Sequence, residues 1–230
     1  MKPFLFFALI LFSIFSIAQA PVRFYEHGSC GYNKADGSLL VAAQYDAGSK
    51  FQEGFAIVMR GGKMGFLNEK GSVSIPFQFD EASLFVKGLA KVGKKGKYGY
   101  INTSGIYVIS ADYEQAEDFC EGMALVKQNG LFGFIDASGK TMVPFQYTGA
   151  HSFSEKLASV QFSDKWGFID KTGKTIIPFE YDMAYFFHKG ESTVRKGKEE
   201  FYINPANKFV REVEKHEENE GGEVRKKKGK

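Results

Sequence analysis

The sequence repeats itself every 34 residues, and this period constrains the fold more than any other feature. Two series of glycines keep the interval without a single insertion. The first comprises Gly31, Gly65, Gly99, Gly133 and Gly167, and the second comprises Gly37, Gly71, Gly105, Gly139 and Gly173. Phenylalanines follow the same interval at Phe51, Phe85, Phe119, Phe153 and Phe187. The period predicts five tandem units, with a partial sixth unit from Glu199 to about Val213.

A period of this length also suits pairs of helices, so the secondary structure has to be decided from the pattern within a unit. Prolines stand in mid-unit at Pro76, Pro144 and Pro178, and a proline inside a helix costs about 3 kcal/mol. The apolar residues alternate with a period of two, and turn glycines separate the runs. This pattern is typical of short strands joined by turns, and it excludes a helical repeat.

One unit is predicted to contain three strands. They span Lys165–Asp170, Thr175–Asp182 and Ser192–Lys196, with a turn at Gly173 that requires a positive φ. A lone unit would leave an apolar face and its strand edges uncovered, so the units are expected to fold only in a row. We therefore predict an all-β fold in which antiparallel three-stranded repeats form an open β-solenoid-like stack. A small β-propeller is the alternative, although its blades usually have four strands and about 40 residues or more.

The fifth unit carries the most recognisable motif. Its elements are Lys165-Trp166-Gly167-Phe168-Ile169-Asp170, then Gly173-Lys174, then Ile177-Pro178-Phe179-Glu180-Tyr181-Asp182. This motif resembles the bacterial WG repeat family, and the resemblance extends over residues 28 to 213. Only this unit has tryptophan, because the other units place Cys30, Met64, Tyr98 and Phe132 at that position. The resemblance implies a β-repeat domain of mostly uncharacterised function, and it supplies no catalytic residues.

The N-terminal residues have the layout of a secretory signal peptide. A lysine precedes an apolar run from Phe4 to Ile17, which is shorter than the roughly 20 residues of a membrane span. Cleavage is expected after Ala18 or after Ala20, and a retained N-terminal anchor is the alternative. The domain prediction is thus a signal peptide over 1–20, a repeat array over 21–213 and a charged, disordered tail over 214–230.

The overall charge excludes one class of partner. The chain has 30 basic and 27 acidic residues, a net charge of +3, which gives no general attraction to nucleic acid. The basic end of the tail is expected to make at most weak contact with anionic surfaces. No cofactor is predicted. The expected partner is an unknown protein or an envelope polysaccharide, and no transmembrane segment is expected in the mature chain.

Few side chains suggest binding chemistry. A row of carboxylates follows one strand of successive units, and it consists of Asp46, Asp80, Glu114 and Asp182. This row is a tentative binding surface for a basic ligand, with a solvated edge as the alternative. Trp166 is interpreted as a core residue, with stacking on a sugar as the alternative.

The remaining polar residues are interpreted as structural. Asp136 and Asp170 precede turn glycines and are expected to cap those turns rather than to bind metal. The histidines have no metal-binding spacing, and Cys30 and Cys120 lie almost three units apart, too far for a disulfide in a linear stack. No catalytic or metal site is predicted.

These observations favour an exported, non-catalytic binding or scaffold protein of the bacterial cell envelope. The location expected is the periplasm, the cell surface or the medium. Repeat arrays offer long regular surfaces that suit polymers or protein partners. The alternative is a hydrolytic enzyme acting on envelope polymers, and a purely structural surface protein is a third hypothesis.

Export has a direct test. The full chain, produced in a bacterium with a Sec pathway, is expected outside the cytoplasm with a new N-terminus at Gln19 or Pro21. Intact-mass measurement of the fractionated protein checks the cut. A chain that stays in the membrane fraction with Met1 attached would instead establish the retained anchor.

Overall fold

The computed structural model describes residues 20–213. The predicted tail, and all but the last residue of the predicted signal peptide, lie outside these residues. The described residues form 23 β-strands and no helix, and accordingly none of them belongs to an apolar helix of membrane-spanning length.

The strands form six antiparallel sheets, numbered here in chain order. The first sheet has three strands, β1 (Val22–Glu26), β2 (Ser29–Asn33) and β3 (Leu39–Tyr45). The second has β4 (Ala47–Gly48), β5 (Phe55–Arg60), β6 (Lys63–Asn68) and β7 (Val73–Phe79), and the third has β8 (Glu81–Ala82), β9 (Leu89–Lys94), β10 (Lys97–Asn102) and β11 (Tyr107–Tyr113). The fourth has β12 (Gln115–Ala116), β13 (Met123–Gln128), β14 (Leu131–Asp136) and β15 (Thr141–Tyr147). The fifth has β16 (Gly149–Ala150), β17 (Ala158–Phe162), β18 (Lys165–Ile169) and β19 (Thr175–Tyr181), and the sixth has β20 (Met183–Ala184), β21 (Ser192–Lys196), β22 (Glu199–Ile203) and β23 (Phe209–Glu212).

The predicted all-β class, the tandem antiparallel units and the open stack are confirmed. Two details were not anticipated. Each of the last five sheets begins with an additional strand of two residues, so it has four strands. The predicted third strand of a unit, β21, pairs with β22 of the following unit, because the two-residue turn at Gly197 makes them antiparallel neighbours. Each sheet therefore combines residues from two sequence units.

The first glycine series lies where the sheets are irregular. The pairing of β10 with β11 shifts register on both sides of Tyr100, next to Gly99. A Cβ atom on Gly99 would lie 2.6 Å from the carbonyl oxygen of Ile109 and 2.7 Å from the nitrogen of Ala111, which is closer than real Cβ contacts. The strands approach each other here only because the glycine has no side chain. The second series occupies turns, where Gly173 has the expected positive φ, of 83°.

Aromatic rings join each sheet to the next. Tyr100 on β10 packs against Phe119, which lies in the bend before β13 of the fourth sheet, with ring centroids 4.8 Å apart. The same contact recurs at all five junctions, with centroid distances from 4.7 to 5.3 Å; the pairs are Tyr32–Phe51, Phe66–Phe85, Tyr100–Phe119, Phe134–Phe153 and Phe168–Phe187. The five buried clusters of residues 20–213 each join two consecutive sheets, and none joins the first sheet to the sixth. Six sheets with five shared cores make an open stack.

Carboxylates add a second link between units. Glu53 accepts hydrogen bonds from the backbone N–H groups of Lys87 (2.7 Å) and Gly88 (2.8 Å), which stand one repeat further along. Glu155 does the same with the N–H of Gly190, at 2.8 Å. Hydrogen bonds to a charged acceptor are stronger than neutral ones. They fix the bends that carry the interlocking phenylalanines.

Removing one of these phenylalanines should therefore destabilise the array. Phe85 is fully buried between Phe55 and Phe66. Phe85→Ala is expected to lower the free energy of unfolding by about 3–5 kcal/mol, because the change removes buried surface and leaves a cavity. Urea denaturation followed by circular dichroism measures the effect. Phe162→Ala is the matched control, since Phe162 is 44% exposed and its loss should cost much less. Equal effects of the two changes would contradict the proposed role of the ring contacts.

Candidate functional site

Three aromatic rings form a column across the fifth and sixth sheets. The imidazole of His151 stacks on Trp166 of β18, with centroids 5.1 Å apart and planes 27° apart. On its other side, His151 stacks on Tyr185, at 6.1 Å and 30°. Gly149 makes this arrangement possible, because a Cβ atom there would lie 2.9 Å from the indole ring. Trp166 is thus half-buried, packed against the core and covered by a histidine.

His151 is held in a defined state. Its Nδ1 lies 2.8 Å from the hydroxyl of Ser159, which is fully buried. Burial lowers the pKa of His151 below its ordinary value of 6.5. The ring is therefore neutral at pH 7, which suits its stacking between two other rings and leaves it without a charge to attract a ligand.

Tyr185, at one end of the column, and its neighbour Phe186 are both exposed to solvent. Tyr185 and Phe186 follow the short strand β20 and are 43% and 51% exposed. We call this pair the aromatic ridge. An open groove of about 400 Å³, the first groove, is lined by Glu117, Cys120, His151 and Phe186 among others. A second groove of about 550 Å³ is lined by both ridge residues and by His188, Lys189, Glu191 and Arg211. Phe186 lines both grooves, so the two grooves adjoin at the ridge.

The second groove lies on the outward face of the sixth sheet. Arg211 of β23 occupies the repeat position that Val41, Ile75, Ile109, Val143 and Ile177 fill in the earlier sheets. Its guanidinium stacks on the ring of Tyr202 at 3.8 Å and pairs with Glu191 at 2.8 Å. A fixed cation therefore replaces an apolar residue in the last sheet of residues 20–213. The exposed Lys189 adds a second basic group to this groove.

The first groove has the opposite charge. The exposed carboxylates of Glu117 and Asp118 stand beside it, on the segment that leads to Cys120. Burial raises the pKa of the Cys120 thiol, and the charges of Asp118, Glu117 and Glu121 raise it further. Cys120 is therefore protonated at neutral pH and is a poor nucleophile. It is a free thiol, as is the buried Cys30.

The predicted acidic row lies elsewhere, at the end of the sheets where the two-residue hairpin turns are. Each carboxylate accepts a hydrogen bond from a turn N–H group; the partners are Gly61 for Asp46 (2.6 Å), Lys95 for Asp80 (2.7 Å), Gly130 for Glu114 (3.0 Å) and Gly197 for Asp182 (2.6 Å). Asp80 also pairs with Lys63, and Asp182 pairs with Lys165 at 2.6 Å. The carboxylates of the row therefore stabilise the hairpin turns. Part of their hydrogen-bonding capacity is already used within the protein.

The other polar candidates have local partners. The Oδ1 atom of Asp170 accepts hydrogen bonds from the N–H groups of Thr172 (2.8 Å) and Lys174 (3.1 Å), and Asp136 makes the equivalent contacts. These are turn caps. Within residues 20–213, no three histidine, cysteine or carboxylate side chains come together in a way that would hold a metal ion.

Sequence reasoning did not single out the ridge or the second groove. Tyr185 and Phe186 depart from the pattern of the earlier units. The position of Tyr185 is filled there by Ser49, Ser83, Glu117 and His151, and the position of Phe186 is filled by Lys50, Leu84, Asp118 and Ser152. Two aromatic residues at positions that are otherwise polar or variable were the available signal. Neither residue recurs in register, so the repeat pattern does not point to it.

The sheets and the recurring glycines define a class of protein, the tandem β-repeat arrays. The family model described as "WG containing repeat" matches five consecutive segments, 32–63, 64–98, 98–132, 132–166 and 166–199. The chain belongs to this family. No curated protein is significantly similar to the sequence.

Solved structures with a similar arrangement are β-propeller-like folds of very different sequence. A structure titled as the eukaryotic initiation factor shares 11% identity with a TM-score of 0.52, over 83% of this chain and 61% of that chain. Hsv2 of Kluyveromyces marxianus has 8% identity and a TM-score of 0.49, over 81% and 73%. Hsv2 of Kluyveromyces lactis has 8% identity and a TM-score of 0.46, over 70% and 59%. The likeness concerns the fold alone.

The turn-holding carboxylates predict a pH dependence of stability. Hydrogen bonding to Lys165, and then to the Gly197 N–H, lowers the pKa of Asp182 below its ordinary value of 3.8. On acidification the unfolded state takes up its proton first, so this stabilisation is complete above about pH 5 and is lost as the pH falls through 3.8 towards the folded-state pKa. Urea denaturation between pH 2.5 and 7 should show a smaller acid-induced loss of stability for Asp182→Asn than for the parent chain.

Asp164→Asn is the control for this experiment. Asp164 is an exposed carboxylate in the preceding hairpin turn, and its replacement should keep the parent pH profile. If Asp182→Asn and the control have identical profiles, then the carboxylate does not hold the turn in solution.

Proposed function

We propose that the protein is an exported, non-catalytic binding protein of the bacterial cell envelope, and that it holds its partner across the aromatic ridge. The observation that carries this proposal is the exposure of Tyr185 and Phe186 beside two grooves that share Phe186. Neighbouring exposed aromatic side chains rimmed by polar groups are typical of interaction sites. Elsewhere in the repeats, the phenylalanines of the bends are buried between sheets or half-buried there.

The rest of the architecture supports binding rather than turnover. The ridge stands on a bend whose next residue, Phe187, is fully buried against Phe168, so its backbone is anchored by the core. The hydroxyl of Ser154 also donates a hydrogen bond of 2.6 Å to the carbonyl of Phe187. A surface fixed in this way loses little conformational entropy when a partner binds. The signal-peptide pattern over 1–20 supports the export part of the proposal.

A pull-down tests the proposal. The mature chain, immobilised and exposed to an envelope extract of its own source, is expected to enrich a partner in a saturable manner. Phe186→Ala should weaken that enrichment at least about tenfold, because truncation of a central aromatic contact has effects of this size. Phe162→Ala is the matched control, since it removes an exposed aromatic ring that lines neither groove.

The acidic row offers a second candidate surface, and the same assay distinguishes it from the ridge. A partner that is lost on Glu114→Gln but retained by Phe186→Ala would assign binding to the row of Asp46, Asp80, Glu114 and Asp182. Enrichment that neither variant changes would remove both surfaces from consideration.

A further inference from the structure

We propose that the ligand of the aromatic ridge is an extended peptide segment in which basic residues and acidic residues flank a pair of apolar or aromatic residues. This inference rests on the proposed function and adds the chemical class of the partner. It follows from the order of charges along the path that the two grooves form on either side of Phe186.

The acidic end of the path is formed by the fourth sheet and its bend. Glu117 lines the first groove, and Asp118 follows it in the chain. Glu121 is also near, but Lys171 pairs with its carboxylate at 3.0 Å and so occupies it. Glu117 and Asp118 are therefore the groups that would meet a basic side chain or an amino group.

The basic end of the path is formed by the sixth sheet. Lys189 and Arg211 line the second groove. Arg211 is held by Tyr202 and by one oxygen of Glu191, yet its side chain remains 52% exposed. A guanidinium has five N–H donors, so this arrangement leaves donors for a carboxylate of the ligand. Positioning it on a ring reduces the entropy lost on binding.

Between the two ends lies the ridge. Phe186 belongs to both grooves and is half-exposed, and Tyr185 stands over the stacked His151. The order along the surface is thus acidic, aromatic, basic. A peptide matches this order with ordinary side chains, and the complementary charges would select its register. The grooves, of about 400 and 550 Å³, are shallow and open rather than enclosed, which suits an extended segment better than a small molecule.

A neutral polysaccharide is the competing ligand, because exposed aromatic rings also stack on sugars. Separated charge favours the peptide: an uncharged glycan gains nothing from an acidic group at one end and a guanidinium at the other. The two ligands therefore differ in salt dependence, since only an ion-paired complex weakens strongly as added salt screens the charges.

Fluorescence polarisation of labelled hexapeptides tests the inference on the whole mature chain. The probes have two lysines, two phenylalanines and two glutamates, in that order or in the reverse order. The comparison peptide has the same composition, with lysine and glutamate mixed on both sides of the phenylalanines. At least one ordered peptide is expected to bind about tenfold more tightly than the mixed peptide, and to weaken between 50 and 500 mM NaCl.

Variants assign the contacts. Phe186→Ala should abolish measurable binding, and Glu117→Gln and Arg211→Gln should each weaken it about tenfold. Replacing the glutamates of the peptide with glutamine should remove the effect of Arg211→Gln and keep that of Glu117→Gln. Arg60→Gln is the control, because Arg60 also stacks on aromatic rings, those of Tyr45 and Phe77, but lies outside both grooves.

Three outcomes would overturn the inference. Equal binding of the ordered and mixed peptides would show that charge order is irrelevant. Binding that survives Phe186→Ala would place the peptide elsewhere. Binding of neutral oligosaccharides that Phe186→Ala abolishes, with none for the peptides, would leave the ridge as a binding site and identify its ligand as a glycan. The glycan result would keep the proposed function and change only the ligand. A pull-down that enriches no partner would contradict the proposed function itself.

Discussion

The fold depends on a ring of one sheet lying against a phenylalanine carried by the next. This contact recurs at all five junctions, with centroid distances from 4.7 to 5.3 Å. Hydrogen bonds in the ladders stay within a sheet, so burial of these rings and their aliphatic neighbours, together with side-chain hydrogen bonds such as those of Glu53, joins one sheet to the next. Each sheet therefore needs the following one to cover its face, and the sixth sheet is the last one within residues 20–213.

The sixth sheet differs from the earlier ones because Arg211 stands where they have an aliphatic residue. In the earlier sheets, residues at this position contact the turn glycine of the next unit, as Ile75 does with Gly105. Arg211 instead covers Tyr202 with its own guanidinium and pairs with one oxygen of Glu191. The aromatic ring of Tyr202 on this face of the sixth sheet is thus covered by a charged side chain of the same sheet. A cation fixed on a ring is also a preorganised contact for an anionic group, so Arg211 suits the second groove for binding.

The regular part of this architecture could be predicted from the sequence, because it arises from residues that recur. The glycine next to Tyr98 and Tyr100 permits close strand approach, and the glycine of each following turn permits a positive φ; both constraints act locally and repeat every 34 residues. The two-residue strands could not be predicted. Each one pairs with the next strand, as Ala82 pairs with Val92, and this pairing depends on how the intervening bend folds back. Their length gives no periodic pattern to recognise.

The candidate site escaped prediction for the opposite reason. Tyr185, Phe186 and Arg211 are among the residues at which the repeat is broken, so a pattern of residues in register does not include them. The residues that recur in every unit are already needed for packing or for turns. Few of them can therefore be exchanged for residues that bind a partner. The acidic row illustrates this. Asp182 belongs to the recurring series, and its carboxylate already accepts hydrogen bonds from Lys165 and from the N–H group of Gly197. Function in such a chain is more readily placed at departures from the repeat, where a side chain is not already required by the next unit.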